Sequence, residues 1–339
     1  MQSFVHLANT FLQKAAAGKF PTLVALAAIS AVTGAMAQAT IYGVIDQAYQ
    51  STKTTTGSAT TNQTAIANTW NGSLIGFKAS EDLGGGMKAF GQYEMGVSVD
   101  QTDAAPIENR NSFVGLSGGF GAIQIGRQYN FAFFNAISAD PFSYTGASGY
   151  AVGYGGPGGA SRTSNMIAYT VPAVAAGVGI QVGKALGETI ATNLLPTKTG
   201  DSTSYGLTYA AGALYAGVTG ETITGANAVI AKTKNSTTTI TYDLGMVKVG
   251  YGTGKTTTGA TFNKGGAFSL TVPMGALTLA VSSGDRKTNA SGAEVKTKVS
   301  QYGAIYALSK RTSTYLQTGK QSAKATSTNI YAIGLRHDF

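Results

Sequence analysis

The chain has 339 residues, of which 43% are hydrophobic and 12% charged, with 46 glycines, no cysteine and a formal charge of +9. The lack of cysteine excludes disulfides and Cys-based metal sites, and the lack of any run of 18 apolar residues excludes helical membrane spans. Seventeen tyrosines and fourteen phenylalanines favour strands, while basic residues scattered singly argue against a nucleic-acid face and for the handling of small anions.

In chain order, the first expected element is a secretory signal at residues 1–37. Lys14 and Lys19 precede the apolar stretch LVALAAISAVTGAMA, which closes on Ala35-Met36-Ala37. Cleavage is expected after Ala37, with Ala39 as a second option. Losing two lysines and no acid leaves +7 on residues 38–339, which are expected to form one β-domain.

From Thr40 onward, about ten residues of alternation are followed each time by a turn. The clearest alternating stretches are SLIGFKAS, SYGLTYA, TITYDLG, VKVGYG and LTLAVSSGDR, each with one apolar and one small or polar face. Seven connectors are short, and all but the last carry Gly or Pro: LGGG, GGFG, PAVAAG, AAGA, LGM, PMGA and SKRT. Eight longer polar stretches lie between them, at 50–70, 99–109, 129–164, 188–202, 221–236, 254–264, 286–297 and 320–328. Such a series joins sixteen strands. Short turns at one rim and long loops at the other predict an all-β, 16-stranded antiparallel transmembrane β-barrel with short periplasmic turns and long external loops. The barrel must close, because open edges in lipid leave backbone groups unpaired. TIYGVIDQAY and NIYAIGLRHDF are expected to pair, with the Phe339 ring on the lipid face at the periplasmic aromatic girdle.

Strand parity turns Lys78 inward, together with Lys88, Gln92 and Glu94, and then Lys248, Arg286 and Arg336. Each of these could equally be a solvated filler of a polar wall. Arg127 instead shares parity with Ile123 and Ile125 on the apolar face, where an arginine at mid-bilayer costs about 2–4 kcal/mol. A position near the rim or at a subunit contact relieves that cost. The stretch Tyr129–Asn165 opens with NFAFFN and carries a single carboxylate, Asp140, which either faces a basic wall across the lumen or caps a local turn. GYGGPGG lacks the strand–helix context and the lysine of a phosphate loop. The only histidine beyond the signal is His337, on the outward face, so no Ser/His/acid or metal-ligand group can be assembled and no enzyme is expected. An adhesive barrel would need longer loops or a passenger domain.

SLIGFKASEDLGGGMKAFGQYE, RNSFVGLSGGFGAIQIGRQ, YALSKRTSTY and IGLRHDF resemble the trimeric general porins of beta-proteobacterial outer membranes, in order along the whole of residues 38–339. The resemblance implies a homotrimer, a third loop folded into each lumen, and Phe339 as the signal read by the barrel-assembly machinery. It places Arg110 in the basic half of the constriction and Arg162 at a second such position. It pairs Arg127 with a neighbouring subunit's second loop. Leu74 departs from relatives that carry an arginine there, which weakens the expected anion selectivity. Ions and small hydrophilic solutes would cross passively, amid outer-membrane lipid and lipopolysaccharide and without a cofactor. A substrate-specific channel for anionic or sugar solutes is the alternative, with Tyr144, Tyr150 and Tyr154 as a possible aromatic ladder.

Overall fold

The computed structural model describes residues 38–98, 107–145, 147–154, 161–187, 189–190, 197–198, 200–224, 231–290 and 292–339. The expected signal at 1–37 lies outside them. The first eight staves are β1 (Gln38–Thr56), β2 (Ala59–Ala67 with Leu74–Gly84), β3 (Met87–Val97), β4 (Ile107–Gly118), β5 (Gly121–Tyr129), β6 (Arg162–Thr170), β7 (Val178–Ala185) and β8 (Ser202–Ala211). The next eight are β9 (Leu214–Ile223), β10 (Thr233–Asp243), β11 (Lys248–Thr258), β12 (Thr261–Met274), β13 (Leu277–Ala290), β14 (Ala293–Ala307), β15 (Thr312–Ala323) and β16 (Thr326–Asp338). Neighbours in the chain pair antiparallel, and β16 returns to β1 from Val44↔Asp338 to Thr56↔Thr326. The sheet therefore closes into a 16-stranded barrel. Stave β2 is interrupted between Ala67 and Leu74, and both its halves pair with β1.

Alternation assigns the faces. Ile41, Ile45 and Tyr49 on β1, Val114 and Leu116 on β4, and Leu316 on β15 are exposed outward. Their neighbours Asp46, Ala48, Gly115, Ser117, Tyr315 and Gln317 point inward and are buried. An apolar exterior around a polar interior inverts the soluble pattern and suits a lipid surround.

The seven short turns fall at the expected positions. The long-loop expectation requires correction at 50–70, 254–264, 286–297 and 320–328. There the strands continue towards their tips: β1 runs to Thr56 and β2 begins at Ala59, β11 and β12 meet across 259–260, β13 and β14 pair as far as Ala290↔Ala293, and β15 and β16 meet across 324–325. These segments are polar, but their threonines are β-branched and pair across the ladder. Thr56 and Thr326 hydroxyls lie 3.0 Å apart, and those of Thr233 and Thr258 2.7 Å apart. Polarity marks where the wall meets water, not where the strand ends.

The described residues 130–145 and 147–154, between β5 and β6, fold into the barrel. Asn130 ends β5 and caps helix α1 (Phe131–Ala139), its Oδ1 accepting from Phe133 N at 2.7 Å. Lys248 Nζ donates to Ser138 O at 2.8 Å, placing a cation at the helix C-terminus, where backbone carbonyls lack partners. Helix α1 packs on β8–β11, and a π-helical turn, Gly149–Gly153, packs on β12–β14. The wall beneath the loop is glycine because the contact is at backbone distance. A Cβ at Gly252 would lie 2.5 Å from Tyr154 Cε2, and one at Gly303 2.7 Å from Phe142 Cε1.

The break in β2 locks the loop to the opposite wall. Trp70 lies there with its ring 5.3 Å from Phe142 of the loop and 5.3 Å from Tyr315 of β15. Asp46, fully buried, accepts from Trp70 N at 3.0 Å, from Asn71 N and from the Tyr315 hydroxyl. One carboxylate thus holds three elements together.

Candidate functional site

Two residues of β4 oppose one of β3. Tyr93 pairs with Ser112 and Met95 with Asn109, so Arg110 and Asn111 together face Glu94. This β-bulge re-aims a side chain. Strict alternation from Phe113 would send Arg110 outward, whereas it is buried, with Nη2 donating to the Tyr129 hydroxyl at 3.1 Å. Arg162, at the start of β6, donates to the same hydroxyl at 2.7 Å, and its guanidinium lies 4.4 Å from the Tyr129 ring centroid. Tyr129 in turn stacks on Phe133 of α1, with centroids 4.5 Å apart. Two cations therefore converge on one phenol that is braced by the inward loop.

Glu94, 1% exposed, lies 3.9 Å from Arg110 Nε, an electrostatic contact longer than a hydrogen bond. It accepts from the Tyr42 hydroxyl at 2.6 Å and from Gln92 Nε2 at 2.7 Å. Lys78 Nζ lies 4.2 Å from the Tyr42 ring centroid, so it joins the cluster through that tyrosine. Leu74 is on the same inward face and buried. Glu108, mostly exposed, is 3.9 Å from Arg162 Nη1. The cluster borders a cavity of about 240 Å³ lined by Arg110, Arg162, Tyr129, Asp140, Tyr144 and Asn71 among others.

Asp140 reaches that cavity, but its carboxylate turns back into its own loop. It accepts from Phe142 N at 3.0 Å, Tyr144 N at 2.8 Å and the Ser148 hydroxyl at 2.6 Å. These bonds hold Ser143 and Tyr144 at φ of 55° and 64°, left-handed backbone that few non-glycine residues adopt. The turn-cap geometry is thus the one present, and the carboxylate nearest Arg110 is Glu94.

Burial outweighs the three donors and pushes the Asp140 carboxyl up to about 6 from an ordinary 3.8. A proton therefore favours the seated loop. That contribution is complete below the ordinary value and is lost as the pH rises through about 6. Single-channel traces of the wild type are expected to show fewer excursions of the loop at pH 4.5 than at pH 7.5. Asp140→Asn should flatten the difference; an unchanged pH response in that variant would remove Asp140 from the account.

The other residues singled out from the sequence lie apart. Lys248 is engaged with α1. Arg336 is 3% exposed and donates Nη2 to Asp338 Oδ1 at 2.9 Å, across the ladder from Asp46. Arg127 is at a second bulge, where Gly126 pairs with Met166 and Gln128 with Thr163. Its Nε donates to Asn109 O at 3.0 Å and Nη1 to Ser164 Oγ at 2.8 Å, close to the loop rim. Phe339 extends the β1–β16 ladder, its N donating to Gly43 O at 3.1 Å, and the residue is 43% exposed. Tyr150 and Tyr154 are 0% and 1% exposed against the wall, so they form no ladder along the lumen. Among the described residues, no group of three or more His, Cys, Asp or Glu could hold a metal.

Sequence reasoning missed Tyr129, Tyr42 and Asp46. Each is a lone polar tip on an inward position; the only available signal was Tyr129 directly preceding the Asn130 cap.

A family model described as Gram-negative porin matches residues 23–326. The major outer membrane protein P.IB of Neisseria gonorrhoeae is 44% identical over 108 residues, 31% of this chain and 31% of that protein. The match thus spans about a third of the length of the curated relatives. The anion-selective porin from Comamonas acidovorans superposes with a TM-score of 0.75 at 22% identity, covering 90% of this chain and 100% of that one. OmpT of Vibrio cholerae in its trimer form gives 0.67 at 15%, covering 89% and 99%.

Proposed function

This chain belongs to the Gram-negative porin family, and on that premise we propose that it is a general diffusion pore of the outer membrane with a weak preference for anions. Ions and small hydrophilic solutes cross passively through the lumen, and selection is by the width and charge of its narrowest part. The observation that carries the reading is the convergence of Arg110 and Arg162 on the Tyr129 hydroxyl, on a wall narrowed by helix α1. Of the acidic groups nearby, Glu94 is held by Tyr42 and Gln92, and Asp140 by its own loop. The cations are left as the less neutralised partners, with Lys78 adding to them. Leu74 in place of a further cation keeps the preference modest. The similar Comamonas protein is named anion-selective, which agrees in sign.

The test is a reversal potential in a planar bilayer under a KCl gradient. A sign showing chloride preferred supports the reading. A potassium-selective sign would keep the pore and refute the charge assignment. A folded barrel without current would sink the pore itself.

A homotrimer is the proposed assembly, as in the trimer form of the similar Vibrio protein, with Arg127 at the contact. Arg127→Ala is expected to lower the melting of the trimer and leave ion selectivity unchanged. The opposite pair of results would make Arg127 a pore residue. Phe339 is the proposed insertion signal for the barrel-assembly machinery, since its ring is presented outward at the end of the closing stave. Residues 1–37 are the proposed export signal, on the charged, apolar and small-residue order of their sequence.

A further inference from the structure

Four lysines stand in register across adjacent strands on the outer wall. Lys255 of β11 pairs with Lys264 of β12, Lys264 with Lys287 of β13, and Lys287 with Lys296 of β14. Like charges directly opposite one another destabilise a sheet, and a row of four spans about 14 Å at the usual strand spacing. Lys298 and Lys320 flank the row on β14 and β15. These side chains point away from the lumen, because they share parity with Tyr251, Phe268 and Tyr302, which are exposed outward.

Two carboxylates offset part of this charge. Lys287 Nζ is 2.9 Å from Glu294 Oε1, and Lys296 Nζ is 2.8 Å from Asp285 Oδ2. Six lysines against two acids still leave a strongly positive surface. All but Lys255 line a trough of about 830 Å³, and an anionic occupant would relieve the repulsion along the row.

The height of the patch identifies the occupant. Lys255 is four residues along β11 from Tyr251, Lys264 four from Phe268 and Lys298 four from Tyr302, or about 13 Å of strand in each case. All lie on the loop side of those aromatics, the side from which α1 enters the barrel. Aromatic side chains of this kind mark the membrane interface, so the lysines lie at headgroup level. Every lysine of the patch is also at least six staves from Arg127 on β5, away from the proposed subunit contact.

We infer that this lysine row binds the phosphorylated headgroup of an outer-leaflet glycolipid of the lipopolysaccharide type, its acyl chains lying along the apolar wall below. The inference rests on the porin reading for its membrane and its orientation. It assigns the charge on this wall to lipid and not to the permeating ions.

The test compares wild type with Lys255→Gln/Lys264→Gln/Lys298→Gln, all three exposed and outside the lumen. Both are titrated in detergent with purified bis-phosphorylated lipid A, with the same lipid stripped of phosphate, and with inorganic phosphate, following thermal unfolding. The wild-type midpoint should rise with the phosphorylated lipid alone, and the variant should need at least about tenfold more of it. Conductance and chloride preference should be the same in both. Equal lipid response in the variant overturns the inference. So does a wild type that responds as well to the stripped lipid, which would mean acyl packing, or to inorganic phosphate, which would mean a free-anion site. A wild type that binds the lipid but conducts no current would instead overturn the pore reading and leave the lipid site standing.

Discussion

Replacing Arg110 and Arg162 together with glutamine is expected to reverse the sign of ion selectivity. The two guanidiniums form the basic wall beside α1, and without them Glu94 and Glu108 remain with Lys78 as the charges of the cluster. A field focused in a narrow cleft changes local ion concentration by about tenfold or more. A change of about that size in the chloride-to-potassium permeability ratio is therefore expected. Both single variants should fall between wild type and the double variant. The measurement is the reversal potential under a KCl gradient, with conductance recorded alongside. A double variant that still prefers chloride would show that selectivity arises elsewhere, for example from cations at the loop rim. Glutamine is chosen so that a donor remains near Tyr129 and the change reports charge more than packing.

The second large effect concerns the width of the pore. Tyr150 and Tyr154 are the buried anchors of the inward loop, with the Tyr154 hydroxyl 2.7 Å from Thr239 Oγ1 on the wall. Cutting a buried aromatic to alanine typically costs about 3–5 kcal/mol. Tyr150→Ala/Tyr154→Ala should thus free the π-turn from β12–β14 while the barrel, whose ladder closes independently of the loop, still assembles. Larger sugars should enter proteoliposomes faster in a swelling assay, and current traces should become noisier. Gly252→Val attacks the same contact from the wall, since its Cβ would meet Tyr154 at 2.5 Å. Combined with the tyrosine changes it should add little, because residues in contact are not energetically independent. A size limit unchanged by either variant would mean that Trp70, Phe142 and Asp46 seat the loop without the π-turn.

The contrast between Lys78 and Arg110 shows how far the sequence can be read. Lys78 follows from counting by twos along one strand. Arg110 does not: the same count points it to lipid, and only the bulge opposite Glu94 returns it to the lumen. Asp140 is a similar case. Its place in the loop was legible, but the direction of its carboxylate depends on Ser148 and two backbone amides that no spacing rule aligns. The four threonine-rich segments read as loops failed for a different reason, because a strand projecting into water has a loop's polarity and a strand's backbone.

By itself the sequence determined that the chain is a β-barrel of sixteen staves with an apolar outside, which stave closes it, and which inter-strand stretch is long enough to fold inward. Those features are local, since a side-chain period of two and a glycine turn depend on a few consecutive residues. The tertiary structure alone decided which charges meet. Arg110, Arg162 and Glu94 come together through registers between separate strands, the loop is seated by glycines of walls far along the chain, and the lysine row exists only once four strands are paired. Register and bulges belong to pairs of strands, and no single segment carries them.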